Sequence, residues 1–151
     1  MKLTEYAEKF IGRPYIWGGD GSGKCSGGFD CSGLVLECLW ATGKYKGTDC
    51  TAKALYKALS KSGWTKVRSN NERAGDICFW GLTEDKITHV SIVFEKGLHI
   101  EAGGGGSKCT SLENSTGMVR IRPLTARKNL FVILREPLEN LSTGETTNRR
   151  D

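Results

Sequence analysis

The chain has 151 residues and a mass of 16.5 kDa, enough for one domain with a sizeable core and too little for a second catalytic domain. Lys and Arg number 22 against 17 Asp and Glu, and the resulting charge of +5 is scattered along the sequence, which fits a solvated surface and gives no basic stripe for nucleic acid. No run approaches the ~18 apolar residues of a membrane span, and Lys2, Glu5, Glu8 and Lys9 break the apolar pattern of the first twelve residues, so neither membrane insertion nor a signal peptide is expected.

Leu3, Tyr6, Ala7, Phe10 and Ile11 recur at spacings of three and four, which predicts an amphipathic helix with Thr4 as N-cap and Gly12-Arg13-Pro14 as terminator. A glycine-rich stretch follows and gives way at Cys31 to a second helix, with Leu34, Val35, Cys38 and Leu39 on one buried face and Gly43 as its stop. A third helix is predicted from Thr51 to Ser62, with Leu55, Ala58 and Leu59 inward and Gly63 at its end. Beyond it the pattern changes to short strands around 64–67, 77–80, 89–94, 98–102, 118–122 and 131–135. Helices first and strands afterwards indicate an α+β domain over 1–136, its helices packed on an antiparallel sheet of about five or six strands. The polar segment 137–151 has little to bury and is expected to be a disordered tail or the start of a linker.

The run Gly28-Phe29-Asp30-Cys31-Ser32-Gly33-Leu34-Val35 places a cysteine where a glycine-rich loop meets a helix N-terminus. Free N–H groups and the positive end of a helix favour thiolate over thiol, and neighbouring glycines let a substrate carbonyl approach the backbone. A nucleophilic cysteine needs a base, and the chain holds two histidines, His89 and His99. His89 opens His89-Val90-Ser91-Ile92-Val93-Phe94 and reads as the first residue of a strand. Leu98-His99-Ile100-Glu101-Ala102 reads as the next strand, with Glu95-Lys96-Gly97 as the turn between them. Residues two apart in a strand share a face, so His99 and Glu101 point the same way and either is placed to orient the base.

Four ordered segments carry a resemblance: Tyr15-Ile16-Trp17-Gly18-Gly19, the Asp30-Cys31-Ser32-Gly33 run, Ala74-Gly75-Asp76-Ile77, and Thr88-His89-Val90. Together they resemble the NlpC-type (NlpC/p60) family of papain-like cysteine peptidases, which cut bacterial cell-wall peptides. The resemblance implies a papain-like fold in which the nucleophile's helix packs on the sheet, with Cys31 as nucleophile, His89 as base and Glu101 as orienter. Glu101 stands where the family usually has histidine, asparagine or glutamine, and His99, one strand repeat earlier, is its competitor. Tyr15 is implied as an oxyanion or substrate contact, and Asp30, Ser32 and His99 as further substrate contacts. The implied partner is a peptidoglycan stem peptide, attacked at the bond between D-γ-glutamyl and a diamino acid, or at the N-acetylmuramoyl-L-alanine amide. No cofactor or metal is implied. Without an export signal of its own, such a chain is expected to be made in the cytoplasm and to reach the wall by delivery or lysis, as a phage lysin, a tail-associated hydrolase or a secreted effector, with room for a wall-binding domain beyond residue 151.

Two rival readings are weaker. A zinc site from Cys25, Cys31 and the histidines lacks a C-x2-C or H-x3-H pair. A non-catalytic wall-binding module on the same fold has no evident reason to keep both Cys31 and His89. Of the other cysteines, Cys38 and Cys78 sit in apolar patterns and read as core. Cys25-Ser26-Gly27 echoes Cys31-Ser32-Gly33, and a reversible Cys25–Cys31 disulfide is the alternative to an inert loop cysteine. The run Gly103-Gly104-Gly105-Gly106 lacks the ending of a phosphate-binding loop and reads as a mobile rim of the cleft.

Overall fold

A computed structural model describes residues 1–25 and 27–138, so the expected tail lies, from residue 139 on, outside the described residues. Three helices come first: α1 (Leu3–Glu8), α2 (Cys31–Ala41) and α3 (Ala52–Lys61). Six strands follow: β1 (Thr65–Val67), β2 (Ile77–Gly81), β3 (Ile87–Glu95), β4 (Leu98–Gly103), β5 (Met118–Pro123) and β6 (Leu130–Arg135). All pairings are antiparallel, in the order β1-β6-β2-β3-β4-β5. The α+β class and the strand count agree with the sequence reading.

Helix ends show where local rules held and where packing overrode them. Asp30 caps α2 and Thr51 caps α3, whose Oγ1 accepts from the N–H of Ala54 at 3.2 Å. Thr4 does not cap α1. The cap is Lys2, whose N–H donates to Glu5 Oε1 at 3.0 Å, and Thr4 is buried inside the helix. The first helix also stops at Glu8, and Phe10 packs edge-on against Phe29 with ring centroids 4.8 Å apart.

The second helix is the centre of the core. Leu34, Val35, Leu36, Cys38 and Leu39 are all fully buried, which widens the single apolar face expected from the spacing: α1 and the sheet cover it from different sides. Leu34 and Leu55 join Ile77, Phe79, Val90, Ile92, Ile100 and Ala102 in one cluster on the helix side of the sheet. Truncating either leucine to alanine in such a core costs about 2–5 kcal/mol. The opposite side carries a smaller cluster of Cys78, Trp80, Val93 and Ile133. Alternation along β3 and β4 therefore sends Val90, Ile92, Ile100 and Ala102 toward the helices, and His89, Ser91, His99 and Glu101 to the other side.

Candidate active site

Asp30 builds the entry to α2 and so positions Cys31. Its Oδ1 accepts from the N–H of Gly33 at 2.7 Å and from the Ser32 hydroxyl at 3.4 Å, while its own N–H donates to the carbonyl of Gly19 at 3.1 Å. Gly33 has to be glycine: a Cβ there would lie 2.0 Å from the Gly19 carbonyl oxygen. The helix start is thus clamped against the Tyr15–Gly19 segment, with the N–H of Cys31 among the first-turn donors that a helix cannot satisfy internally.

Cys31 Sγ rests against the main chain of β3, 4.0 Å from the carbonyl oxygen of Thr88. That places it across the backbone of His89, but no hydrogen bond joins the thiol to the imidazole. Burial, with the Asp30 carboxylate beside it, pushes the thiol up to about 11. The helix terminus was expected to favour thiolate; here desolvation outweighs it.

His89 is the third residue of β3, not the first, because the strand begins at Ile87. Its Nε2 lies 2.7 Å from Oε1 of Glu101, which is fully buried on β4. Burial holds the His89 imidazole below its ordinary value even though the hydrogen bond to Glu101 pulls the other way. Burial alone would raise Glu101, yet its hydrogen bond to His89 and the surrounding positive charge hold it well below the usual carboxylate range. The imidazole is therefore neutral and the carboxylate ionised.

His99 takes neither of the places the sequence allowed it. It is fully buried, so it offers no surface to a substrate. Its Nδ1 pairs with the Ser91 hydroxyl at 2.7 Å, which also accepts from Trp80 Nε1 at 2.9 Å, and its ring lies 5.2 Å from that of Trp80. Its Nε2 comes within 3.9 Å of Glu101 Oε1 and has no hydrogen-bond partner. His99 packs behind Glu101.

Sequence reasoning missed three arginines. Arg120 Nε donates to Glu101 Oε2 at 3.1 Å, Arg122 Nη1 lies 3.6 Å from the same oxygen, and Arg127 Nε lies 3.4 Å from Oε1. The register that pairs Glu101 with Arg120 and His99 with Arg122 sets two of them on the Glu101 side of the sheet. The signal available beforehand was the alternation Arg120-Ile121-Arg122 in a strand predicted to follow that of Glu101.

Tyr15 is nearly buried, tied down by its N–H to the carbonyl of Gly117 at 2.9 Å and by its carbonyl to the Ser115 hydroxyl at 2.7 Å. Burial and then the nearby Cys31 push its phenol up to about 12, so it stays protonated, and its hydroxyl has no hydrogen-bond partner among the described residues. The glycine run packs on this ring: a Cβ at Gly105 would lie 2.4 Å from Tyr15 Cδ1. All six cysteines are free thiols, and Cys25 is engaged by the Ser22 hydroxyl at 3.8 Å, so the Cys25–Cys31 disulfide is not formed.

The model of the NlpC/P60 family matches residues 12–122, which hold every residue of this constellation except Arg127. The chain belongs to the NlpC/P60 family. Among its relatives is the probable peptidoglycan endopeptidase LytE of Bacillus subtilis, 30% identical over 115 residues that make up 76% of this chain and 30% of LytE. The chain spans 17–39% of the length of the curated relatives it matches. Solved structures that share the fold include the following two. The NlpC/p60 domain of the peptidoglycan hydrolase SagA has a TM-score of 0.60 and 26% identity, over 89% of this chain and 96% of that one. RipD from Mycobacterium tuberculosis, described as a non-catalytic NlpC/p60 domain protein adapted to peptidoglycan binding, has a TM-score of 0.64 and 22% identity, over 91% and 99%.

Within this NlpC/P60 domain, a thiol at a helix N-terminus rests against the β3 main chain next to His89, whose neutral imidazole is held by a buried carboxylate, and a free phenol stands near the thiol. That set is equipped for attack on an acyl carbon with a proton passed through the imidazole. The feature that departs from the family's usual neutral orienter is Glu101 with its three guanidiniums.

Proposed function

We propose that this domain is a cysteine peptidase that hydrolyses an amide bond in the peptide stems of bacterial peptidoglycan. The observation that carries the reading is the 2.7 Å His89–Glu101 pair on strands β3 and β4, set beside the thiol at the start of α2. Because burial holds both thiol and imidazole neutral at rest, His89 acts as a general base during attack rather than as half of a standing ion pair. The thiol leaves the Thr88 carbonyl, gives its proton to the imidazole nitrogen not engaged by Glu101, and Cys31 adds to the scissile carbonyl. The N–H of Cys31 and the Tyr15 hydroxyl receive the oxyanion. The imidazolium then protonates the leaving amine, and a water activated by neutral His89 releases the acyl group and restores the thiol. Throughout, Glu101 holds the ring and offsets its transient charge.

The bond we assign is that between D-γ-glutamyl and the diamino acid, in keeping with the endopeptidase name of LytE. A cavity of about 320 Å³ beside the start of α2, lined by Gly18, Gly19, Asp20, Asp30, Ser32 and Asp49, supports a role for Asp30 and Ser32 in holding a substrate amine. Asp30 already caps the helix through Oδ1, so that role falls to the carboxylate's remaining lone pairs.

Digestion of purified sacculi followed by mass spectrometry tests the assignment. Fragments with a new diamino acid N-terminus and a matching glutamyl C-terminus support it. Fragments beginning with L-alanine transfer it to an N-acetylmuramoyl-L-alanine amidase. Binding to sacculi with no release of fragments favours the second reading, a wall-binding module, for which the lack of a hydrogen bond between the Cys31 thiol and the His89 imidazole is the supporting observation.

A further inference from the structure

One carboxylate, that of Glu101, faces three guanidiniums, those of Arg120, Arg122 and Arg127, and no other acidic side chain pairs with any of them among the described residues. Even with Glu101 fully ionised, the cluster keeps an excess of two positive charges. Its hydrogen-bonding capacity is mostly unused. Each guanidinium carries five N–H donors, yet the three make two side-chain hydrogen bonds in all: Arg120 Nε to Glu101, and Arg122 Nη2 to the carbonyl of Ala126 at 3.3 Å. Arg127 Nε is buried beside Glu101 with no hydrogen-bond partner. The side chains are 28, 33 and 30% exposed, so each cation has one side on the buried carboxylate and one open to solvent.

The cluster adjoins the imidazole and the glycine rim. The Arg120 guanidinium packs against Gly104, where a Cβ would lie 2.9 Å from its Nη1, and the next residue, Gly105, lies on the Tyr15 ring. Arg127 Nε lies 3.4 Å from Glu101 Oε1, the same oxygen that holds His89 Nε2 at 2.7 Å, which sets this guanidinium next to the imidazole. A surplus of oriented, half-desolvated guanidiniums around the His89–Glu101 pair is suited to a second carboxylate, which planar N–H pairs grip in bidentate fashion.

We propose that Arg122 and Arg127, with Arg120 between Glu101 and the glycine rim, form a subsite for a carboxylate of the substrate close to the scissile bond. The proposal rests on the peptidase reading above and extends it to substrate choice. A γ-linked glutamyl residue leaves its α-carboxylate free a few bonds from the attacked carbonyl, and a diamino acid on the leaving side brings another. Amidation of either group removes the charge the subsite receives. The chain thereby discriminates free-acid stems from amidated ones.

Calorimetric binding to the Cys31→Ala protein is the test, with two sets of synthetic stem peptides that differ only in carrying carboxylate or carboxamide at the glutamyl α-position or on the diamino acid. We expect tighter binding of one carboxylate form by at least ~10-fold, a difference that salt weakens and that Arg127→Gln or Arg122→Gln reduces several-fold, with Arg127→Lys restoring part of it. The ratio between paired ligands in one protein is the readout, so a general loss of fold or of Glu101 alignment does not imitate it. Equal binding of acid and amide forms, a preference that survives both glutamine variants, or no binding of any stem peptide overturns the subsite. Cleavage by the protein with Cys31 intact separates the two proposals: discrimination in binding with no peptide cut refutes the peptidase reading and leaves the carboxylate subsite standing.

Discussion

His89 Nε2 and Glu101 Oε1 lie 2.7 Å apart, so the imidazole of this NlpC/P60 domain is held by a buried carboxylate where the family usually has a neutral side chain. The charge does not simply pass to the ring. Arg127 and Arg120 oppose it, and with burial they hold His89 below its ordinary value. Glu101 thus aligns the ring as a neutral orienter would, while its negative charge is balanced from behind by the arginines.

Removing the nucleophile is the first check. Cys31→Ala is expected to abolish release of fragments from cell walls, measured by turbidity, with circular dichroism unchanged, because the thiol makes one weak contact, to Thr88, and the helix start is held by Asp30. Turnover near that of the unaltered protein means that another group carries the chemistry.

Exchange at the two strand neighbours separates orienter from brace. Glu101→Ala is expected to lower kcat/KM by ~10-fold or more, and His99→Ala by a few-fold at most. The thermal midpoint should fall in both, since one frees three guanidiniums and the other opens a cavity beside Trp80. Should His99→Ala carry the larger kinetic loss with its fold preserved, the orienting role belongs to His99.

The resting protonation state gives a pH signature. With the thiol near 11 and no ion pair with His89, the rate of Cys31 alkylation by iodoacetamide should keep climbing above pH 8. A standing thiolate–imidazolium pair would instead give a plateau from mildly acidic pH upward. The acid limb of kcat/KM should lie below pH 6.5, because His89 must be neutral to act and burial keeps it so below its ordinary value.

Stability should fall on the acid side for a separate reason. Burial lowers His99 to about 4 in the folded chain, against ~6.5 in the unfolded one. A depressed histidine supports the fold above its unfolded value, and that support is lost as pH falls from ~6.5 through about 4. The full effect is on the order of 3 kcal/mol. Denaturant titrations at pH 7 and pH 4.5 should show a smaller difference for His99→Gln than for the unaltered protein; an identical pH slope would show that His99 is not the group responsible.

The cap at Asp30 can be separated from its proposed contact with substrate. Asp30→Asn keeps an oxygen for the Gly33 N–H and removes the charge, whereas Asp30→Ala loses both and should cost about 1 kcal/mol of stability. If the asparagine variant keeps stability and loses its preference for stems with a free amine, the carboxylate reads that amine. Unchanged kinetics toward amine-bearing and amine-blocked stems would leave Asp30 a cap alone.

Much of this architecture was readable from spacing. Cys31 after Asp30 announced a helix start, Thr51 and Gly63 bracketed α3, and the two-residue period separated Val90 and Ile92 from His89 and Ser91. Those are local properties of the chain. Thr4 misled because Leu3 before it could enter the helix, which let Lys2 take the cap and sent the threonine inward. The arginine cluster was out of reach for a different reason: Glu101 and Arg120 are nineteen residues apart and meet only through the β4–β5 register, which a glycine-rich connection leaves open. The raised thiol likewise depends on how closely β3 covers the start of α2, a matter of packing and not of sequence period.

The last strand, β6, is inserted between β1 and β2. A nascent chain therefore cannot join its first strand to the rest of the sheet until residues 130–135 have left the ribosome. Until then β2 presents an unpaired edge, the kind of surface on which strands of other chains add. Synthesis halted before Leu130 should yield an aggregation-prone intermediate. A partner domain fused downstream is better tolerated when it begins after Arg135 than when it interrupts this closing strand.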